Sequence, residues 1–342
     1  MPETALPDPL ETMILPRYGE ASLSELLPSA AAVLGVPGFE NVLGLPDAAT
    51  VCVLLVDGFG WNLLRRSAGV APYLATLMPA ARPLTAGFPS TTATSVTSIG
   101  TGLPPGEHGV LGYQFRIPHT DRLMHALNWD PQIDPLRWQS RPTVFERLAV
   151  HGTAGYQVAP GSFQESGLTR AGLRGARYVA AETPGDLVAG VAKAARHTGG
   201  SLIYTYYADL DKTGHLRGCE SPAWEHQLAM TDRFVEQLIG VLPDESILVI
   251  TGDHGMVDVT PDAQVDIDVI PPLTDGVTLI GGEPRMRYVY AKPGAEAEVL
   301  DAWRGVLGER AWVASREQAA DEGWFGPHVP AAMLPRIGDV VA

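Results

Sequence analysis

Cysteine is scarce in this chain of 342 residues, which contains only Cys52 and Cys219. Two cysteines are too few for a disulfide framework. Cys52 lies inside the apolar run 51–56, where we expect it to act as a small buried hydrophobic side chain. A chain of this length can bury a core of its own, either as one large α/β domain or as a core that carries a smaller lobe.

Basic residues are also few, because 24 Lys and Arg stand against 39 Asp and Glu, for a formal net charge of -15. A surface with this charge repels long polyanions, so we expect no stable nucleic-acid partner. A small phosphate-bearing substrate is still compatible with the charge, since bound metal ions can invert the local field of a site.

The sequence has no apolar run long enough to span a membrane, and we expect no membrane partner. Residues 1–20 contain acidic side chains and four prolines, without the basic start and apolar stretch of a signal peptide. These features predict a cytoplasmic protein. Internal repeats and low-complexity segments are absent from the sequence as well.

Apolar segments that are typical of buried strands alternate with segments of helical spacing. The predicted strands are 51–56, 201–207 and 247–251, and the predicted helices are 22–34, 91–100, 143–151, 186–197 and 224–242. This alternation predicts an α/β fold with a doubly wound, mainly parallel central sheet and helices on both faces.

The predicted organisation is a catalytic core over 1–261 followed by a smaller α/β lobe over 262–342. Within the core, 113–141 reads as an excursion beside the site, because it has prolines and aromatic residues but no clear period. Its aromatic side chains either line a pocket for a group such as a nucleobase or form a small core: Tyr113, Phe115, Trp129 and Trp138. Residues 337–342 read as a strand just beginning, and we expect the chain to stop before the core is complete.

Three predicted strands end in side chains that bind metal ions: Asp57 after the first, Asp211 and His215 after the second, and Asp253 with His254 after the third. Open α/β sheets place ligands at the carboxyl ends of their strands. Carboxylate mixed with imidazole suits Zn²⁺, or less specifically Mn²⁺ or Fe, and argues against Ca²⁺. Five such groups exceed the needs of one ion, so we predict two ions roughly 3.5–4 Å apart.

The segment 88–92 supplies hydroxyl groups at a predicted helix N-terminus, where free backbone N–H groups favour a phosphate. A threonine hydroxyl becomes a nucleophile when metal coordination lowers its pKa. On chemistry alone Thr91 competes with Thr92 for this role. Asp57, taken alone, is also explained as the cap of the following helix.

Several segments together resemble the nucleotide pyrophosphatase/phosphodiesterase family of the alkaline phosphatase superfamily. The matching segments are VDG at 56–58, FPSTT at 88–92, TGLP at 101–104, HG at 108–109, DKTGH at 211–215 and TGDHGM at 251–256. They occur in the family's order and cover about residues 50 to 260. The resemblance implies an alkaline-phosphatase-like fold and a hydrolase of phosphodiester or pyrophosphate bonds that acts on a small phosphate-ester or nucleotide-type substrate.

The resemblance also implies a role for each site residue. The first of two divalent ions, zinc or alternatively manganese, would be held by Asp57, Thr92, Asp253 and His254. Asp211 and His215 would hold the second ion. Thr92 would attack phosphorus in line and form a phosphothreonine intermediate, which a water activated at the second ion would hydrolyse.

Two positions depart from the family pattern. Ser95 stands where the family commonly has an asparagine that contacts the substrate phosphate, and a serine hydroxyl donates only one hydrogen bond. No Gly-x-His-Gly segment follows Gly255, although the family takes a further histidine ligand from one, and the later His328 lies between prolines. We therefore expect the second metal site to be incomplete, and to hold its ion weakly or remain empty.

Other functions remain compatible with these residues. A phosphomonoesterase or a phosphonate hydrolase would use the same scaffold, whereas a sulfatase lacks its Cys/Ser-x-Pro-x-Arg segment here. A metal- and phosphate-binding relative without turnover is the alternative outside the enzymes, and the missing downstream histidine favours it. His108 is predicted to be structural, packed under the helix that follows 88–92.

Overall fold

The computed structural model describes residues 13–342, so the first twelve residues of the leader considered above lie outside the described part. Within that part the strands are β1 Thr50–Val56, β2 Gln114–Arg116, β3 Leu123–His125, β4 Ala154–Ala159, β5 Arg177–Ala180, β6 Ser201–Tyr207, β7 Ser246–Thr251, β8 Val277–Glu283, β9 Met286–Ala291, β10 Ala314–Ser315 and β11 Val340–Val341.

Helices connect most of these strands. The α-helices are α1 Leu26–Val33, α2 Trp61–Ser67, α3 Pro72–Leu77, α4 Thr92–Thr101, α5 Pro105–His108, α6 Pro135–Trp138, α7 Val144–Val150, α8 Gly167–Gly172, α9 Pro184–Ala195, α10 Asp209–Arg217, α11 Pro222–Ile239, α12 Pro271–Thr274, α13 Glu296–Leu307 and α14 Arg316–Asp321. Short 3₁₀ helices cover Leu23–Glu25, Ala68–Val70, Met78–Ala80, Gly161–Phe163, Pro261–Ala263, Ile267–Val269, Gly308–Arg310 and Leu334–Arg336.

The central sheet has five parallel strands in the order β5-β4-β6-β1-β7, which confirms the predicted parallel α/β architecture. β1 lies between β6 and β7, and every residue of β1 is buried. The segment 247–251 is a strand as predicted, but its predicted burial is wrong. β7 is one of the two edge strands of this sheet, and its residues are only half-buried.

Two hydrophobic clusters cover the two faces of the central sheet. Cys52, Leu54 and Val56 point into one cluster, which includes side chains of α2, α3, α9 and α11. Val51, Val53 and Leu55 point into the other, formed with α1, α4 and α7. Because Leu54 and Leu55 are fully buried on opposite faces, truncating either to alanine should cost about 2–5 kcal/mol of stability. Helices thus cover both faces of the sheet at β1.

The excursion and the C-terminal part of the chain share a third cluster. The β2–β3 hairpin contributes Phe115, α6 contributes Trp138, and the sheet β10-β11-β9-β8 contributes Tyr288 and Val341. Phe115 and Trp138 are therefore core residues, which decides between the two interpretations of the excursion for these two side chains. The division of the chain near residue 262 stays a prediction.

A buried arginine ties the C-terminal part to the segment that follows α5. The Arg336 guanidinium donates to the Gly109 carbonyl at 2.7 Å and the Trp138 carbonyl at 3.2 Å, and it lies 3.9 Å from the centre of the Trp138 ring. His108, also fully buried, shares a hydrogen bond of 2.9 Å with Ser98 of α4. The contact of His108 with Ser98 packs the end of α5 against α4, in agreement with the structural role predicted for His108.

Among the described residues, no helix combines the length and the apolar character needed to cross a membrane.

Candidate active site

The predicted ligands converge at the carboxyl edge of the central sheet. Asp57 directly follows β1, and its N–H donates to the Tyr207 carbonyl at 2.9 Å, which extends the pairing of β1 with β6 by one residue. Asp211 lies in the first turn of α10, just after β6, and His254 follows β7. One ligand atom each of Asp57, Asp211 and His254 lie within 4.8 Å of one another. Asp211, assigned to the second pocket, thus meets Asp57 and His254 of the first, whereas among the described residues Asp253 and His215 are not part of this group of three.

The structure separates the two candidate nucleophiles. Thr91 is the N-cap of α4, where its hydroxyl accepts from the Thr94 N–H and lies 3.2 Å from the Thr94 hydroxyl. Thr92 is the first residue of the helix, and its Oγ1 lies 3.2 Å from Nε2 of His254 and 3.5 Å from Oδ1 of Asp57. Thr92, not Thr91, faces the ligand cluster.

Asp253 joins the ends of β1 and β7. Its fully buried carboxylate accepts from the Gly58 N–H at 3.1 Å and from the His254 N–H at 3.0 Å, both through Oδ1. The other oxygen, Oδ2, lies 3.5 Å from Nε2 of His254 and has no hydrogen-bond partner. This leaves one oxygen of Asp253 free for a cation.

The backbone selects the tautomer of His254. Its Nδ1 lies 2.8 Å from the Gly255 carbonyl oxygen, which can only accept, so we assign the ring proton to Nδ1. Nε2 then carries a lone pair and points toward Thr92 and Asp57. A histidine that donates one ring N–H to a backbone carbonyl is the usual arrangement of a metal ligand.

Asp211 and His215 occupy successive turns of α10, with His215 Nε2 3.4 Å from Asp211 Oδ1. The His215 side chain is 68% exposed and that of Asp211 is 17% exposed. Oδ1 of Asp211 is itself buried and has no hydrogen-bond partner. Gly58 makes room for it, because a Cβ at this position would lie 2.9 Å from that oxygen.

Burial and, after it, the charges of Asp253 and Asp211 together raise the pKa of Asp57 to about 9, against a hydrogen bond from Tyr206 that lowers it. Burial also raises the pKa of Asp211, against the influence of His215. Carboxylates that repel each other in a dry site are stabilised in their charged form by a cation. With two buried carboxylate oxygens that have no hydrogen-bond partner and an imidazole nitrogen beside them, the residues fit a divalent cation.

Two residues beside the cluster have no signal in the sequence motifs. Tyr206, in β6, donates a hydrogen bond from its hydroxyl to Oδ2 of Asp57. Arg285 lies in the turn between β8 and β9, and its charge counteracts the raised pKa of Asp211. A tyrosine in the penultimate position of a strand is no motif, and Arg285 is too distant in the chain to be connected with the site.

Ser95 and His328 are placed differently from the ligands. The buried Ser95 hydroxyl donates to the backbone carbonyl of Asp253 at 2.7 Å, so its only proton is already used. Its predicted contact with substrate phosphate stays a prediction. Over the described residues 13–342, the ligand cluster does not include His328, whose carbonyl oxygen lies beside Gly106.

A family model described as type I phosphodiesterase / nucleotide pyrophosphatase matches residues 51–342. The chain belongs to this family of phosphoester hydrolases. The match runs from the start of β1 through the whole ligand cluster to the last strand. Members of the family depend on metal ions in general, which agrees with the fit of the clustered side chains to a cation.

Solved structures confirm the predicted alkaline-phosphatase-like fold. Murine ectonucleotide pyrophosphatase/phosphodiesterase 5 is 19% identical, with 85% of this chain and 78% of that chain covered and a TM-score of 0.66. An inactive threonine-to-alanine form of the murine protein was solved in complex with AMP. Phosphonoacetate hydrolase from Sinorhizobium meliloti 1021, in complex with phosphonoformate, is 20% identical, with coverage of 86% and 81% and a TM-score of 0.62. At these identities the likeness concerns the fold.

A short stretch of 55 residues is 33% identical to GPI ethanolamine phosphate transferase 3 of Schizosaccharomyces pombe. The stretch covers 16% of this chain and 6% of the transferase. The chain therefore matches only a small part of that relative's length.

Proposed function

We propose that this protein hydrolyses a phosphodiester or pyrophosphate bond, with Thr92 as the nucleophile and a covalent phosphothreonine intermediate. The position of Thr92 carries the proposal. Its hydroxyl stands at the N-terminus of a ten-residue helix and lies 3.2 Å from an imidazole nitrogen and 3.5 Å from a carboxylate oxygen of the ligand cluster. An alcohol placed among metal ligands is the arrangement that an activated nucleophile requires.

Two divalent ions are part of this proposal, with zinc favoured over manganese. The residues that would hold them are Asp57, Thr92, Asp211, His215, Asp253 and His254. Bound ions would lower the pKa of the Thr92 hydroxyl and offset the negative charge of the phosphate. The exposed His215 and the absence of a downstream Gly-x-His-Gly segment support a weaker second site.

The side chains of this protein supply the remaining steps. The backbone N–H groups at the start of α4 would also face a phosphate bound in front of Thr92. The Thr92 hydroxyl gives its proton to water as Oγ1 forms a bond to phosphorus, and the leaving oxygen takes the electron pair of its broken bond to phosphorus and a proton from water. Water then attacks the phosphothreonine, which restores the hydroxyl and releases the phosphate. For Ser95 to contact the phosphate, its hydroxyl would have to leave the Asp253 carbonyl.

A small phosphate ester or nucleotide is the substrate class that we propose. The net charge of -15 disfavours long polyanions, and the murine relative was solved with AMP. A phosphonate hydrolase is the second candidate, because the Sinorhizobium neighbour shares the fold and was solved with phosphonoformate. Cytoplasmic location stays a prediction.

The test is an assay of bis-p-nitrophenyl phosphate, p-nitrophenyl phosphate, phosphonoacetate and a nucleotide diester with added Zn²⁺ or Mn²⁺. We expect the diesters to be the best substrates and Thr92→Ala to lower kcat by about 10³-fold or more, because it removes the nucleophile. Thr91→Ser is the matched control, since it keeps the capping hydroxyl of the neighbouring residue and should keep activity.

Diesterase activity that survives Thr92→Ala would disprove the nucleophile. Activity confined to phosphonoacetate would favour the phosphonate hydrolase. If metal binds but no substrate is turned over, the protein is a binding relative instead.

A further inference from the structure

Tyr206 approaches the site from the strand next to β1. The register pairs it with Leu55, and Leu55 and Asp57 point to the same face of the sheet because side chains alternate along a strand. The Tyr206 hydroxyl therefore reaches the Asp57 carboxylate from a neighbouring strand and donates to its Oδ2. The Tyr206 ring also packs edge-to-face with the Phe163 ring, with ring centres 5.8 Å apart.

Because of this hydrogen bond, the two carboxylate oxygens of Asp57 have different surroundings. Oδ2 is held by Tyr206, whereas Oδ1 lies 3.5 Å from the Thr92 hydroxyl and 3.4 Å from Nε2 of His254. The Asp57 side chain is 6% exposed, so bulk water cannot orient it. Its other close neighbours include the carboxylates of Asp211 and Asp253, which repel it.

We propose that Tyr206 is a positioning residue: its hydroxyl holds Asp57 so that Oδ1 faces Thr92 and His254, and this orientation sets the affinity of the site for a divalent cation. The inference rests on the proposed function only in taking Asp57 as a ligand. Partners that orient a metal ligand through a hydrogen bond typically contribute 10–100-fold to metal affinity, so an effect of about this size is expected.

The test is a calorimetric titration of metal-free protein with Zn²⁺ and with Mn²⁺. It compares the wild type with Tyr206→Phe and Tyr204→Phe. Tyr204 is the matched control, because it lies two residues earlier on the same strand and face, is buried, and makes no hydrogen bond to Asp57. We expect Tyr206→Phe to bind the tighter ion about 10–100-fold more weakly and Tyr204→Phe to bind it as the wild type does.

A second measurement separates positioning from a general loss of structure. Activity of Tyr206→Phe should recover toward the wild-type kcat at saturating metal, while the circular dichroism spectrum of the metal-free variant stays that of the wild type. Equal metal affinity for Tyr206→Phe and the wild type would overturn the inference, as would an equal loss in both tyrosine variants.

The inference and the proposed function fail in different ways. Calorimetry needs no substrate. If the wild type shows no hydrolytic activity but Tyr206→Phe binds metal more weakly than the wild type, the inference is kept and the proposed enzymatic function is wrong. If the wild type hydrolyses a substrate but Tyr206→Phe binds metal with unchanged affinity, the proposed function is kept and the inference about Tyr206 is wrong. A wild type that binds neither ion would overturn both.

Discussion

The candidate site has a buried half, formed by Asp57, Asp253, His254 and Thr92, and an exposed half, formed by Asp211 and His215. In the buried half the side chains of Asp57, Asp253 and His254 are at most 8% exposed, whereas that of His215 is 68% exposed. The ligand chemistry is the same in both halves, carboxylate with imidazole. The difference therefore lies in how firmly the surrounding structure holds the side chains.

Hydrogen bonds fix the buried half before any ion binds. Asp253 accepts from two backbone N–H groups, His254 donates to a backbone carbonyl, and Asp57 accepts from Tyr206. His215 lies beside Asp211, one helical turn away, and its side chain is 68% exposed. Because ordering a free side chain costs conformational entropy, the buried half should bind its ion more tightly than the exposed half.

The largest effect is expected for Asp253→Asn, which removes a ligand charge from the buried half. Metal analysis after dialysis should show loss of the tightly held ion, and kcat should fall by about 10³-fold or more, as for other essential site groups. Asp258→Asn is the control, since Asp258 also accepts from two backbone N–H groups, those of Cys219 and Glu220, but is not one of the proposed metal ligands. A tight ion retained by Asp253→Asn would contradict the ligand assignment.

A smaller effect is expected for His215→Ala than for His254→Ala. The exposed histidine contributes to the weaker site, so His215→Ala should leave the tighter ion bound and should weaken only the second binding step. His254→Ala should abolish the first step. Calorimetric titration with Zn²⁺ distinguishes the two, and equal losses in both variants would show that the two halves do not differ in affinity.

Gly58→Ala should disturb both halves of the site. Its effect on metal binding should be smaller than that of the histidine substitutions. Gly58 has φ +69, and an added Cβ would lie 2.9 Å from Oδ1 of Asp211. The left-handed backbone costs roughly 1–2 kcal/mol for a residue with a Cβ, and the displaced Asp211 should weaken metal binding in addition. Gly35→Ala is matched, because Gly35 has φ +72 and open space around it. Thermal unfolding should show similar destabilisation in both variants, and loss of metal affinity only in Gly58→Ala.

The smallest effect is expected for His108, which packs against α4, and it concerns the pH dependence of stability. Burial and the charge of Arg336 lower the pKa of His108 to about 3, from 6.5. The unfolded chain therefore binds a proton that the folded protein does not, and stability is lost as the pH falls from about 6.5 toward 3. Denaturant midpoints measured at pH 7 and pH 4.5 should differ less in His108→Gln than in the wild type. An unchanged difference would mean that His108 takes up no proton on unfolding.

Continuous apolar runs predict the central strands of the parallel sheet. The run 51–56 has no polar interruption, and both it and 201–207 were recognisable as strands of a parallel sheet. β4 and β5 were missed, because Gly155 and Gln157 interrupt the apolar pattern of β4 and β5 is only four residues long. Periodicity also cannot show whether a strand is central or at the edge, and for this reason the burial of β7 was predicted wrongly.

The sequence by itself determined which chemical groups are available: three aspartates and two histidines after predicted strands, and a threonine at a helix start. Local pattern suffices there, since strand ends and helix starts are encoded by neighbouring residues. Only the tertiary structure decided how these groups meet. That Asp211 joins Asp57 and His254, that His254 presents Nε2, that Ser95 is bonded to Asp253 and that Tyr206 holds Asp57 all depend on strand register and on packing between segments distant in the chain.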